Sequence, residues 1–144
     1  RILNEIRKVP GNDERSFNEM FYREWIHEII RLSKEQGYFI GVKCALPELL
    51  VYTPADEADG IWPHRALREI LEELKDPDLE SNLAIAKMNN RGVRLANCRQ
   101  EQNEAKNYRE KASTLAITYP RTSIILNKIA DDLDSCADFF NDEP

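Results

Sequence analysis

Glycine is scarce in this chain and scattered singly, five in 144 residues. None belongs to a phosphate-cradling loop, and the Gly-x-Ser-x-Gly turn that presents a nucleophilic serine is also missing. Histidine is scarcer still, with two, and the three cysteines Cys44, Cys98 and Cys136 are far apart. No Cys-x-x-Cys or His-x-x-x-His spacing occurs, so a zinc site would need ligands converging from distant elements. An odd, dispersed set of thiols suggests reduced thiols in a cytosol rather than a disulfide framework. An excess of positive charge is lacking: the net charge is −6. That argues against nucleic acid, whose binders use basic patches to displace counterions. The least polar stretch, 38–53, contains Lys43, Glu48, Gly41 and Pro47, and a membrane span needs about 18 or more apolar residues in a row. Neither a signal peptide nor a spanning segment is visible, and no membrane partner is expected.

What is present is a highly charged chain, 32% Asp, Glu, Lys and Arg, with apolar residues at helical spacing. Ile2, Ile6 and Val9 share a face in a short helix that Pro10-Gly11 ends. Ser16-x-x-Glu19 reads as a capping box. The helix it opens carries Phe17, Met20, Phe21, Trp25, Ile29 and Leu32 along one side, expected to be buried, and Gly37 stops it. The run 38–53 allows two forms, a hairpin of Tyr38–Cys44 with Leu49–Thr53 or a buried helix interrupted at Pro47. A lone hairpin needs a further strand or a packed helix to persist, which favours helical or irregular structure. After the acidic loop 54–60, Pro63 suits the first position of a helix over 63–75 that buries Ala66, Leu67, Ile70, Leu71 and Leu74. Asp76 caps the next helix, 77–89, which carries Leu79, Leu83 and Ala86. A loop over 92–99 leads to a helix over about 100–118, with Ala105, Tyr108, Ala112, Leu115 and Ala116. Pro120 starts the last helix, in which Ile125, Leu126, Ile129, Leu133, Ala137 and Phe140 share a face. The short Tyr119-Pro120 junction makes the last two helices antiparallel neighbours.

The expectation is therefore an all-α fold, a compact bundle of five or six helices with one short hairpin around 38–53 as the variant. A length of 144 residues fits one domain, 1–144. The chain begins at Arg1, which suggests a part of a longer protein.

Few constellations suggest chemistry. Glu24-x-x-His27 has the spacing used in di-iron bundles, but the second copy that such sites need is absent. Acidic groups at Glu69, Glu72, Glu73 and Asp76, and at Asp131, Asp132 and Asp134, resemble ordinary outer helix faces more than a magnesium site. A Cys44–His64 pair lacks any local sign of activation. No metal, cofactor or catalytic residue is assigned. The one departure from helix physics lies at Trp62-Pro63-His64-Arg65 with Arg68, because cations in a first turn oppose the helix macrodipole. Something negative is expected beside them. The candidates are the chain's own Asp56, Glu57 and Asp59, or a bound anion held by free N–H groups and Arg65. Antiparallel packing of 63–75 and 77–89 would add Arg91 and Arg94 to the same corner. The candidate site is thus Trp62, His64, Arg65, Arg68, Arg91 and Arg94, binding an anionic ligand or a protein partner. The function expected is a helical interaction or regulatory module of a larger bacterial-type cytosolic protein or complex, with self-association as a further partner reading. The competing class is an enzyme acting on a phosphorylated small molecule or nucleotide.

Overall fold

A computed structural model describes residues 17–91 and 98–141. The described residues form six helices and no strand: α1 (Glu19–Gln36), α2 (Phe39–Leu50), α3 (Arg65–Leu74), α4 (Pro77–Asn89), α5 (Cys98–Leu115) and α6 (Pro120–Asn141). The helix expected over 1–9, the serine of the Ser16 capping box and most of the loop 92–99 lie outside the described residues. No described helix is long and apolar enough to cross a membrane. The chain divides into two compact units, with the boundary between Leu83 and Ala84 inside α4.

In the first unit, α1 is capped by Asn18, whose side-chain oxygen accepts the Phe21 N–H at 3.1 Å. Glu19 therefore stands at the first helical position rather than the third, and its carboxylate pairs with Arg23 and Arg65. Gly37, at φ 79°, closes the helix in the left-handed conformation that favours glycine. The buried face differs from the expected one. Tyr22, Ile26, Ile30 and Ser33 face the interior, whereas Phe21 is 51% exposed, Leu32 38% and Met20 72%. Trp25 and Ile29 are half-buried. One helical residue is about 100° of rotation, so the inner stripe 22–26–30–33 lies one position from the outer stripe 21–25–29–32. Both are apolar at helical spacing, and the core takes the stripe with a partner for its polar atom. The Tyr22 hydroxyl, fully buried, shares a 2.7 Å hydrogen bond with Thr53 Oγ1. Burial pushes the Tyr22 phenol well above its ordinary range, against the smaller opposing effect of Thr53.

The apolar run becomes helix α2, and the hairpin variant is not formed. A proline inside a helix leaves the carbonyl four residues earlier without its donor. Here that carbonyl belongs to Lys43, and the Asn82 side-chain amide from α4 donates to it at 3.0 Å. Helix continues beyond the proline, since Val51 N–H reaches the Pro47 carbonyl at 3.2 Å. Asp76 caps α4 as its position suggests, accepting the N–H groups of Asp78 and Leu79 at 3.0 and 3.1 Å. Leu46, Leu49, Leu50, Leu67, Ile70, Leu71, Leu79 and Leu83 complete this core.

In the second unit, α5 and α6 pack along their length. Their pairing runs in opposite directions: Ala112 O accepts the Ser123 hydroxyl at 2.7 Å, and Arg109 reaches Asp131 at 2.8 Å. Buried Glu101, Ala105, Ala112 and Leu115 of α5 and Thr122, Leu126, Ile129 and Leu133 of α6 recur at helical spacing. Alanines at 105, 112, 130 and 137 are fully buried, which lets the two backbones approach closely. Ala116, expected within the helix, is an exposed turn residue beyond its end. The side chain of Phe140 lies outside the described residues.

Candidate functional site

The loop before α3 folds onto the helix N-terminus through its aspartates. Asp56 is buried, with one carboxylate oxygen accepting Ala58 N–H at 2.9 Å and the other accepting Arg65 N–H at 3.0 Å. Asp59 accepts Ile61 N–H at 2.9 Å, and Gly60, at φ 69°, turns the chain between them. Pro63, expected at the first helical position, instead precedes the cap and follows a cis bond from Trp62. The cap is His64: its Nδ1 accepts Ala66 N–H at 3.1 Å, which places the ring proton on Nε2. Burial leads in driving the His64 pKa below its ordinary value, with Arg65 and Arg68 adding to it against Asp56 and Glu19.

Arg68 lies inside this loop, 2% exposed. Its Nη atoms grip Asp59 Oδ1 and Oδ2 at 3.0 and 2.8 Å. Nε donates to Pro63 O, and Nη2 to Ile61 O, each at 2.6 Å. The Arg68 bond is the largest influence holding the Asp59 carboxyl below its usual range. At Asp56, burial alone would raise the carboxyl, but the two N–H donors with His64 and Arg68 hold it low. The negative groups beside the cationic first turn are thus Asp56 and Asp59 of the chain itself. Trp62, His64, Arg65 and Arg68 come together here, with Arg65 directed to Glu19 at 3.4 Å. Arg91 belongs to the second unit, and Arg94 lies outside the described residues.

The other candidate residues are also engaged within the chain. Glu69 pairs with Arg23 and Glu73 with His27, while Asp76 pairs with Lys43. Asp131 and Asp134 both bind Arg109. Cys44 and Cys136 are free and exposed. Among the described residues no three His, Cys, Asp or Glu side chains cluster closely enough to hold a metal ion.

Two further surfaces stand out: the sequence reading named the first as a buried face and did not contain the second. One is the outer stripe of α1, Phe21, Trp25, Ile29 and Leu32. The other is a polar cleft of about 410 Å³ in the second unit, between the end of α4 and one face of α5. It is lined by Lys87, Asn90 and Arg91 from one side and by Glu104, Asn107, Tyr108 and Lys111 from the other. Arg91 is held by Glu101, at 2.6 and 2.7 Å, and by Glu104 at 3.3 Å. Lys111 Nζ lies 5.9 Å from the centre of the Tyr108 ring. The spacing 104, 107, 108, 111 puts these residues on one face of a helix, a signal readable in advance. Their convergence with 87–91 depends on tertiary packing and is not.

Comparison with known protein families, with curated proteins and with solved structures gave no match.

Proposed function

We propose that this chain is a helical protein-interaction module and that the outer stripe of α1 is its docking face. The observation that carries the reading is the doubled apolar pattern of α1. The inner stripe closes the core of the first unit, while Phe21, Trp25, Ile29 and Leu32 remain at or near the surface. Exposed apolar residues in a row, rather than singly, mark surfaces that bind other proteins. Positions i, i+4, i+8 and i+11 are the anchors of helix-to-helix docking, and a tryptophan at their centre suits a hot spot. Exposed Tyr38 and Ile40 extend the apolar surface just past the end of the helix. The partner required offers a complementary apolar helix or groove, and a second copy of this chain meets that description. Free, exposed Cys44 and Cys136 suit a reducing compartment, so the reading places the module in the cytoplasm.

The test is site-specific photo-crosslinking in cells that naturally make the protein. A photoreactive phenylalanine replaces Trp25 in one variant and Arg31, exposed on another face of α1, in a control. A discrete adduct from position 25, absent from position 31 and lost on adding Phe21→Ser with Leu32→Ser, is the expected result. Equal labelling from both positions, or none from position 25, overturns the proposal.

A further inference from the structure

The charges of α1 are sorted around its axis. Arg23, His27 and Lys34 recur in steps of four and seven along one edge, and two of them are spent on α3: Arg23 pairs with Glu69 and His27 with Glu73. Lys34 lies 5.0 Å from the centre of the Phe39 ring. The free border of the outer apolar stripe is acidic instead. A glutamate stands three residues after each of Phe21, Trp25 and Leu32, and residues three apart are neighbours on a helix surface. Glu24, Glu28 and Glu35 therefore run alongside the stripe, all exposed. The cation of α1 beside them, Arg31, is held from both directions, by Glu28 at 2.5 Å and by Glu35 at 2.8 Å. Glu24 is left outside these pairs, and three carboxylates against one guanidinium give this border a net charge of −2.

We infer that the partner of the docking face is an amphipathic helix with lysine or arginine beside its own apolar stripe. The inference rests on the reading of the outer stripe as a docking face and adds the chemistry of what that face binds. Apolar contact asks only for a helix of matching spacing. The border decides which helix, because complementary charge selects partners and like charge turns others away. A second copy of this chain is disfavoured on that ground. In an antiparallel pair, the two-fold axis would set each acidic border against itself. In a parallel pair the acidic border would face the edge of Tyr22, Ile26 and Ser33, which is buried in the core and carries no cation. A basic helix instead lays its cations along Glu24, Glu28 and Glu35 while its apolar residues cover Phe21, Trp25 and Leu32.

The experiment is an amide-resolved NMR titration of the whole chain with three synthetic peptides of the length of α1. The first has leucines at the spacing of the outer stripe and lysines along one border. The second replaces those lysines by glutamates, and the third scrambles the first so that no stripe forms. The lysine peptide is expected to shift the amides of 21–35, to bind about tenfold or more tighter than the glutamate peptide, and to weaken as salt is raised. The scrambled peptide should leave these amides in place. Glu24→Lys with Glu28→Lys should reverse the preference, weakening the lysine peptide by about tenfold and admitting the glutamate peptide; that gain also shows that the variant is folded. Phe21→Ser with Leu32→Ser should remove both interactions. Equal binding of the lysine and glutamate peptides at 21–35 would overturn the charge inference and leave the docking face standing. Equal shifts from the scrambled peptide, or no shift at 21–35 from any of the three, would also overturn it, while the crosslink from position 25 reports on the docking face independently. Self-association of the chain through these same amides would overturn it in favour of a second copy.

Discussion

Arg68→Met keeps most of a buried stem and deletes the guanidinium. The carbonyls of Ile61 and Pro63 then lose donors that now stand at 2.6 Å. A buried acceptor left without its partner costs about 1–3 kcal/mol. Asp59 also loses a two-pronged ion pair, but its side chain is 31% exposed, so water can take over part of that role. Methionine packing offsets a further fraction. The loss expected is about 3–5 kcal/mol, the range seen when one partner of a buried pair is removed. Against a typical total stability of about 5–15 kcal/mol this is severe. Arg68→Lys should recover about 1–2 kcal/mol, since an ammonium keeps the charge but cannot span both carbonyls and the carboxylate. Trp25 and Trp62 are the only tryptophans and both belong to the first unit, so fluorescence during urea unfolding reads that unit alone. A loss below about 1 kcal/mol, typical of surface sites, would refute the claim that Arg68 ties the loop to α3.

Asn82→Asp places a carboxylate where an amide now donates to the Lys43 carbonyl, and should destabilise the first unit by about 1–3 kcal/mol. Asn82→Ala should cost less, and urea midpoints order the two variants. Stability should also fall with acid in two steps. The folded pKa of His64 is depressed, so its contribution is complete above the unfolded value of about 6.5 and is lost as pH falls through the folded one. Asp56 and Asp59 are likewise depressed, so their contribution is complete above about 3.9 and is lost as pH drops further. His64→Asn keeps a capping acceptor and should remove only the upper step; persistence of that step in the variant would assign it elsewhere.

Helix positions were legible wherever period and punctuation agreed. Gly37, Asp76 and Pro120 mark a stop, a cap and a start, and the α3 face of Ala66, Leu67, Ile70 and Leu71 is buried as its spacing requires. Which face of α1 turns inward was not legible, because two adjacent stripes are both apolar and spacing ranks them equally. Tyr22 decides it through Thr53, a partner 31 residues away. The nature of 38–53 also involved a distant residue, since the Asn82 amide donates to the Lys43 carbonyl that Pro47 leaves without its helical donor. At the α3 corner, the clash of cations with the helix dipole correctly signalled nearby negative charge. That Arg68 would point inward could not be read, because an arginine at a helix start is usually exposed. The α4–α5 cleft is assembled from segments far apart in the chain, so its residues carried only a helical-face signal.

The most direct test of the division of labour on α1 compares its two stripes in one unfolding series. Ile26→Ala removes a side chain that is 1% exposed and should cost about 2–5 kcal/mol. Phe21→Ser with Leu32→Ser alters the outer stripe, and should change the urea stability of the isolated chain by less than about 1 kcal/mol. The pair should nevertheless abolish the crosslink from position 25. Outer-stripe variants that lose as much stability as Ile26→Ala would show that this stripe serves the core, and the docking face would be lost with it.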